Sequence, residues 1–203
     1  MIKTIIFDIG NVLMKFDSFP FIKELLGEDE AVENVARAIF GTGYWEDLDL
    51  GMEPEEVFLK MISDAPDYEK EIRLTLASID RGIKRADYAR GWVRDLKKRG
   101  YRILFLSNYS EYVMDSRWDV LDFLPLMDGG IFSCYVGMIK PDPEIFYKLF
   151  EKYDLNPSEC VFIDDNKENI EAAREFGLNA VHFKDYDQAR GELGSLLAAV
   201  DGE

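Results

Sequence analysis

Short apolar runs that alternate with amphipathic helical stretches are the feature that most restricts the fold of this chain. Helical stretches separate the last four runs, and such alternation favours a parallel sheet covered by helices on both faces. The sequence therefore predicts a doubly wound α/β core. Its five predicted strands span residues 4–7, 102–106, 130–134, 160–163 and 179–183.

Three of the predicted helices have recognisable ends. Asp87 is the candidate N-cap of a helix over residues 87–99, which a glycine terminates. A second helix, residues 143–153, begins with proline, and a third, residues 166–176, is followed by glycine. These helices lie between predicted strands, as a doubly wound core requires.

A long insertion follows the first predicted strand. Residues 12–101 separate it from the second, which is far more than a strand-to-helix crossover needs. The insertion shows helical periodicity over residues 19–26, 31–40, 54–62 and 68–79. We therefore expect a core of residues 1–14 and 86–203, with residues 15–85 forming a small helical cap.

Charge and cysteine content exclude several classes of protein. Forty acidic and 24 basic residues give a formal net charge of −16, which repels nucleic acids and anionic membrane surfaces. Cys134 and Cys160 lie in apolar surroundings without paired spacing, so neither a disulfide framework nor a zinc site is indicated. The apolar run at the N-terminus is too short for a signal peptide or a membrane span. The sequence thus favours a cytoplasmic enzyme that binds neither nucleic acid nor membrane, and it does not indicate an oligomeric state.

Polar residues follow four of the predicted strands at the point where each strand ends. Ligands of parallel α/β sheets bind outside the carboxyl ends of the strands. The candidates for a functional site therefore lie in residues 8–12, 107–108, 137–143 and 164–166.

Three aspartates among these candidates would meet at one edge of the sheet. Asp8 alone is compatible with a helix cap, but Asp8, Asp164 and Asp165 together would repel each other and partly protonate unless a cation held them. Carboxylates without histidine or cysteine favour a hard cation, and magnesium with several retained waters fits best. The sequence therefore predicts a Mg²⁺ site.

The other candidates suit an anionic ligand. Ser107 and Asn108, at a strand-to-helix turn, offer hydroxyl, amide and main-chain donors to phosphate oxygens. Lys140 would add a full positive charge, although a lysine before a proline turn is also compatible with a solvated side chain. A phosphate would need such a local positive group, because the chain as a whole is strongly negative.

Taken in chain order, FDIGNV, LFLSN, KPDPEIF and VFIDDNKENI resemble the four motifs of the haloacid dehalogenase superfamily. The resemblance covers essentially the whole chain and implies a Rossmann-like core whose insertion is a C1-type helical cap. Residues 44–51 resemble a subgroup that includes phosphatases acting on α-D-glucose-1-phosphate.

The resemblance implies a magnesium-dependent phosphatase that works in two steps. Asp8 would attack phosphorus and form an aspartyl-phosphate, which water then hydrolyses. Ser107 and Asn108 would bind the phosphoryl oxygens, and Lys140 would stabilise their charge while pairing with Asp8. The implied substrate is a small phosphorylated metabolite such as a sugar phosphate.

The resemblance also implies a set of metal ligands. Mg²⁺ would be held by Asp8, by the main-chain carbonyl of Gly10 and by Asp165. Asp164 would be a second or water-mediated ligand. The ion would neutralise charge between the nucleophile and the phosphoryl group.

One position departs from the pattern of the superfamily. Most of its phosphatases have a second aspartate, the general acid and base, where this chain has Gly10. A general acid or base contributes about 10²- to 10⁴-fold to a rate. The enzyme would therefore be slow, prefer good leaving groups, or take its acid from the cap, where Glu46, Asp47 and Asp49 are candidates.

Three other functions compete with the phosphatase. A 2-haloacid dehalogenase needs no metal and does not explain Asp164 and Asp165, and a phosphomutase would depend on the aspartate missing at Gly10. A non-catalytic binding protein would not need a nucleophile with a metal pair. The single histidine, His182, is interpreted as structural or surface-lying rather than catalytic.

Overall fold

A sheet of parallel strands organises the structure, a computed structural model that describes residues 1–27 and 29–198. The strands are β1 Thr4–Phe7, β2 Met14–Phe16, β3 Ile83–Arg85, β4 Arg102–Ser107, β5 Gly129–Phe132, β6 Cys160–Asp164 and β7 Asn179–His182. Five of them form the central sheet in the order β5-β4-β1-β6-β7, with every neighbouring pair parallel. Strands β2 and β3 form a separate antiparallel pair.

Helices occupy the connections between the strands. They are α1 Ser18–Leu26, α2 Asp29–Phe40, α3 Tyr44–Asp49, α4 Pro54–Asp64, α5 Glu69–Ala77, α6 Ile79–Gly82, α7 Ala89–Lys98, α8 Glu111–Ser116, α9 Pro143–Tyr153, α10 Lys167–Glu175 and α11 Tyr186–Ala198. Among the described residues, no helix is both long and apolar enough to cross a bilayer.

Alternating side chains of β1 point to opposite faces of the sheet, as the two-residue period of a strand requires. Ile5 and Phe7 pack in a cluster that includes Trp92 of α7, whose ring centroid lies 4.8 Å from that of Phe7. Ile6 packs in a different cluster, with Phe146 of α9. Both faces are therefore covered by helices, which confirms the predicted doubly wound, Rossmann-like α/β core.

The inserted helices have an apolar cluster of their own. It includes Ile22 of α1, Val35 of α2, Met61 of α4 and Ile72 of α5, all fully buried. The chain enters this region through β2 and leaves it through β3, which pair in register. The predicted division into residues 1–14 and 86–203 on one side and residues 15–85 on the other remains a prediction.

Some predicted element ends are wrong by a few residues. The third strand of the central sheet ends at Phe132, because Ser133–Tyr135 form a 3-10 turn rather than the predicted continuation to residue 134. Asp87 is not an N-cap, since α7 begins two residues later and its N-cap position, Tyr88, makes no side-chain cap bond. The helix predicted over residues 68–79 is divided between α5 and α6.

The helices and strands that were not predicted from the sequence are short or have a weak periodic pattern. Strands β2 and β3 have three residues each and helices α3 and α8 six each, too few to show a period. Helix α11 is longer, and it buries Ala189, Leu193 and Leu197 at a spacing of four, but Gly191 and Gly194 interrupt its helical pattern.

Replacing Gly51 should weaken the contact between the α3–α4 turn and the segment after β5. Gly51 has φ +87°, and a Cβ there would lie 2.6 Å from the main-chain oxygen of Cys134. Gly51→Ala is therefore expected to lower the free energy of unfolding by about 1–3 kcal/mol, measured by urea denaturation. Gly191→Ala, inside α11 with no heavy atom within 4 Å of the new Cβ, is the matched control and should instead gain about 0.5–1 kcal/mol. Equal stability of the two variants would contradict the close approach.

Candidate active site

The carboxyl ends of β1 and β6 bring three aspartates together. Asp8 follows β1, Asp164 is the last residue of β6 and Asp165 follows it. One carboxylate oxygen of each lies within 4.8 Å of the other two. Asp8 and Asp164 are buried, while Asp165 is half-buried. The neighbouring positions of β1 and β6 in the sheet produce this cluster.

Lys140 lies between two of these carboxylates. Its Nζ is 2.9 Å from Asp8 Oδ1 and 2.6 Å from Asp164 Oδ2, and the residue is only 4% exposed. Burial alone would lower the pKa of Lys140, but the charges of Asp164 and Asp8 outweigh it and raise the pKa above its ordinary value. Lys140 is therefore a permanent ammonium ion, not a solvated surface lysine.

The Asp8 carboxylate is short of positive charge. Burial, opposed by Lys140 and reinforced by Asp164, raises the pKa of Asp8 to about 7. Its Oδ1 also accepts a hydrogen bond of 2.7 Å from the main-chain N–H of Ile9. Even with these contacts, the group would be partly protonated at neutral pH. A second cation at this edge would keep it ionised.

The two adjacent aspartates have different surroundings. Asp164 accepts hydrogen bonds from the main-chain N–H of Asn166 at 2.8 Å and from Asn169 Nδ2 at 3.0 and 3.1 Å, besides its lysine contact. Asp165 accepts one, from Asn11 Nδ2 at 3.2 Å. Burial and the charge of Asp164 raise the pKa of Asp165. Asp165 consequently has more capacity to bind a cation directly.

The donors at this edge fit a hard divalent ion. Asp8 and Asp165 offer carboxylate oxygens, and the described cluster contains neither histidine nor cysteine. The carbonyl oxygen of Gly10 accepts a 2.7 Å bond from the N–H of Val12 but keeps a second lone pair. This oxygen-only set, together with the raised pKa of Asp8, matches what Mg²⁺ requires.

Magnesium binding should be visible as stabilisation of the fold. A ligand at 100 times its dissociation constant adds about 2.7 kcal/mol to the free energy of unfolding, so saturating Mg²⁺ should raise the melting temperature. Asp165→Asn should reduce or remove that shift. The control Asp64→Asn, at an exposed position in α4, should retain it. An unchanged shift in Asp165→Asn would exclude Asp165 as a direct ligand.

The end of β4 places Ser107 and Asn108 beside the Lys140 segment. Asn108 Nδ2 donates to the carbonyl of Lys140 at 2.9 Å, and its Oδ1 accepts from the Lys140 N–H at 2.8 Å. The amide thus holds the lysine segment in place and keeps one N–H for a ligand. Ser107 is fully buried, with its hydroxyl 3.5 Å from the carbonyl of Asn108. Their roles as phosphate ligands remain predictions.

A pocket of about 140 Å³ lies next to Gly10 and Asn108. Most of its other lining is apolar and includes Trp45 of α3 and Tyr109. The one acidic residue of the lining is Asp49, the last residue of α3, which is buried. The inserted helices therefore contribute a carboxyl group to the pocket beside the three aspartates.

Several residues of this site are not evident from the sequence alone. Asn169 lies inside a predicted helix and was not considered as a site residue. An asparagine on the inner face of a helix, five residues after Asp164, could have indicated a contact with that aspartate. Asn11, at φ +52°, was seen only as part of its motif. Asp49 was named only together with Glu46 and Asp47, and its burial and its place in the pocket lining distinguish it from them. His182 contacts the main-chain oxygen of Asp165 at 2.9 Å, which agrees with a structural role.

Comparison with known proteins connects this geometry to a family. The family described as haloacid dehalogenase-like hydrolase matches residues 2–177. The D-ribitol-5-phosphate phosphatase of Bacteroides thetaiotaomicron is 27% identical over 210 aligned residues, which cover 97% of this chain and 99% of the relative. The sesquiterpene phosphatase of Aspergillus oryzae is 25% identical over 203 aligned residues, which cover 96% of each chain.

The solved structures agree on the fold. A crystal structure of a haloacid dehalogenase family enzyme of Bacteroides thetaiotaomicron, in complex with magnesium and inorganic phosphate, matches with a TM-score of 0.70. It is 22% identical in sequence, and the match covers 91% of this chain and 95% of the other. At this identity the likeness concerns the architecture alone.

Proposed function

This chain belongs to the haloacid dehalogenase-like hydrolases, and on that premise we propose that it hydrolyses phosphate monoesters of small metabolites with Asp8 as the nucleophile. The observation that supports this most is the buried lysine bridge, in which Lys140 contacts both Asp8 and Asp164. Burying such an ion pair is costly, so the arrangement suits a site that must hold anionic oxygens. Phosphatases among the relatives point the same way.

In the first step, a carboxylate oxygen of Asp8 forms a bond to phosphorus as the bond from phosphorus to the ester oxygen breaks. Lys140 holds the carboxylate in place and offsets one negative charge of the phosphoryl group. In the second step, water attacks phosphorus, inorganic phosphate leaves and Asp8 is regenerated. Most of the catalysis is then positioning and electrostatic stabilisation.

Mg²⁺ held by Asp8, the Gly10 carbonyl and Asp165 would supply positive charge between nucleophile and phosphoryl group. Asp164 would position Lys140 next to these ligands rather than bind the ion directly, since its oxygens already accept hydrogen bonds from Lys140, Asn166 and Asn169. A proton shared within the aspartate cluster would otherwise weaken the nucleophile, because burial raises the pKa of Asp8 to about 7.

The test is phosphate release from sugar phosphates, alditol phosphates, nucleotides, phosphorylated acids and p-nitrophenyl phosphate, each assayed with Mg²⁺ and with EDTA. We expect turnover on a subset of small phosphates and loss of turnover when the metal is removed. Absence of phosphate release from every substrate at saturating Mg²⁺ would contradict the proposal.

The two main competing functions fit the site less well. A 2-haloacid dehalogenase needs no metal and so would gain nothing from Asp165 as a cation ligand, and chloride release from 2-chloropropionate tests this function directly. A non-catalytic binding protein would have no use for a buried Lys140 that orients a nucleophile.

A further inference from the structure

When the ester bond of an alkyl phosphate breaks, the alcohol part leaves as an alkoxide that needs a proton. The groups around Asp8 are poorly placed to donate this proton. Lys140 is bound to two carboxylates and its pKa is raised, while Asp164 accepts hydrogen bonds at both oxygens. Gly10 has no side chain, and a Cβ there would meet no heavy atom within 4 Å. The acid must therefore come from across this open space.

Asp49 faces the same space from the inserted helices. It lines the pocket with Gly10 and Asn108, and no other residue of that lining has a carboxyl group. Asp49 is only 7% exposed. Within the described residues, its carboxylate makes no hydrogen bond and no ion pair. A buried carboxyl group without a partner, beside a nucleophile, is a candidate for proton transfer.

The other acidic residues of α3 are differently placed. Asp47 forms an ion pair of 2.8 Å with Lys60, and both side chains are partly exposed. Glu46 is exposed and, like Asp47, is absent from the pocket lining. Asp49 is thus the acidic residue of the helix that reaches the site.

Contacts with the core fix the position of Asp49. The hydroxyl of Ser133 donates to the carbonyl of Asp49 at 2.6 Å, and the same hydroxyl accepts from the N–H of Tyr109 at 2.9 Å. Two residues later, Gly51 lies against the main-chain oxygen of Cys134. The end of α3 is therefore attached to the segment after β5, and Asp49 is held over the pocket.

The charges around Asp49 suit a group that exchanges a proton near neutral pH. Burial, reinforced by the negative charge of Asp8 and opposed by Lys140, raises the pKa of Asp49 to about 7. Glu46 on its own helix adds a smaller effect in the same direction. The other titratable groups that face it, Tyr109 and Cys134 of the core, both have raised pKa values and stay neutral.

We propose that Asp49, supplied by the inserted helices, donates a proton to the leaving oxygen and then accepts one from the water that hydrolyses the aspartyl-phosphate. In the first step the proton moves from the Asp49 carboxyl group to the alkoxide, giving an alcohol and a carboxylate. In the second step that carboxylate takes a proton from water as its oxygen bonds to phosphorus. The inference rests on the proposed phosphatase function.

The test compares Asp49→Asn with the wild type on two substrates, an alkyl phosphate that the wild type hydrolyses and p-nitrophenyl phosphate, whose leaving group needs no acid. With the alkyl phosphate, kcat/KM should fall by about 10²- to 10⁴-fold. With p-nitrophenyl phosphate, one p-nitrophenolate per active site should appear as a burst before slow turnover, because the second step lacks its base. Asp47→Asn, the same change on the same helix, should behave as wild type.

A merely structural role of Asp49 would slow both substrates equally and give no burst, which would overturn the inference. Full activity of Asp49→Asn on the alkyl phosphate would overturn it as well. A wild type inactive on every phosphate would refute the phosphatase itself, and this inference with it.

Two further measurements test the proposal even if Asp49→Asn does not fold. Asp49→Glu keeps an acid and should restore part of the alkyl phosphate activity without a burst. In the wild type, the ratio of kcat/KM for the alkyl phosphate to that for p-nitrophenyl phosphate should decline above about pH 7, where Asp49 loses its proton. A ratio that does not change with pH would contradict the proposal without any substitution.

Discussion

Asp8→Asn should lose phosphatase activity almost completely, by roughly 10⁴-fold or more, because an amide cannot form the bond to phosphorus. The substitution nearly preserves shape, so the protein should remain folded. Removing a carboxylate whose pKa burial raises to about 7 also lowers the repulsion within the aspartate cluster. Initial rates of phosphate release with saturating Mg²⁺ measure the effect.

Asp64→Asn is the control for this experiment, since it makes the same chemical change at an exposed position in α4. Its rate should equal that of the wild type. Mass spectrometry of the wild type trapped during turnover should detect a phosphate adduct on Asp8. The adduct should be absent from Asp8→Asn. If Asp8→Asn kept more than a few per cent of the activity, Asp8 would not be the nucleophile.

Lys140→Met should have the largest effect on stability. The substitution leaves the carboxylates of Asp8 and Asp164 buried without their cation, and breaking a buried ion pair in this way costs about 3–5 kcal/mol. Lys60→Met, which breaks the partly exposed pair with Asp47, should cost at most about 1 kcal/mol. Urea denaturation without metal compares the two. Equal losses would mean that the bridge at Lys140 contributes no more than a surface pair.

The stability loss in Lys140→Met should depend on pH. Lys140 lowers the pKa of Asp8, so its removal raises that pKa further above the unfolded value. A carboxyl group with a raised folded pKa destabilises the fold at pH values above that pKa, and the penalty disappears as the pH falls and the group protonates. Below about pH 7 the Asp8 carboxyl group is largely protonated in both folded proteins. The part of the difference from wild type that is due to Asp8 should therefore be small there and grow as the pH rises above 7. Saturating Mg²⁺ should also reduce it by restoring positive charge.

The central sheet was predictable because its strands are buried on both faces and read as continuous apolar runs. Once these strands are parallel, their carboxyl ends share an edge, and the meeting of Asp8, Asp164 and Asp165 follows from topology alone. The pairing of β2 with β3 was not predictable, since three residues show no period and the partners are far apart in sequence.

The less predictable parts of the site depend on side-chain direction. Asn108 is predicted to bind phosphate, and its amide also holds the main chain of Lys140, a contact that no local pattern encodes. Asp49 and Asp47 are two positions apart on α3, and only the packing of that helix on Ser133 decides which of them is buried. Such choices are made by tertiary packing.

The pairing of β2 with β3 brings the two ends of the inserted helices together. Phe16 lies opposite Ile83, so the chain leaves and rejoins the core at neighbouring points. Two antiparallel strands at this separation can be closed by a turn of about two residues. We therefore expect that residues 17–82 can be exchanged for a hairpin turn or for another insertion while both strands keep their register. Grafting of the inserted helices between relatives should therefore begin at this pair of strands.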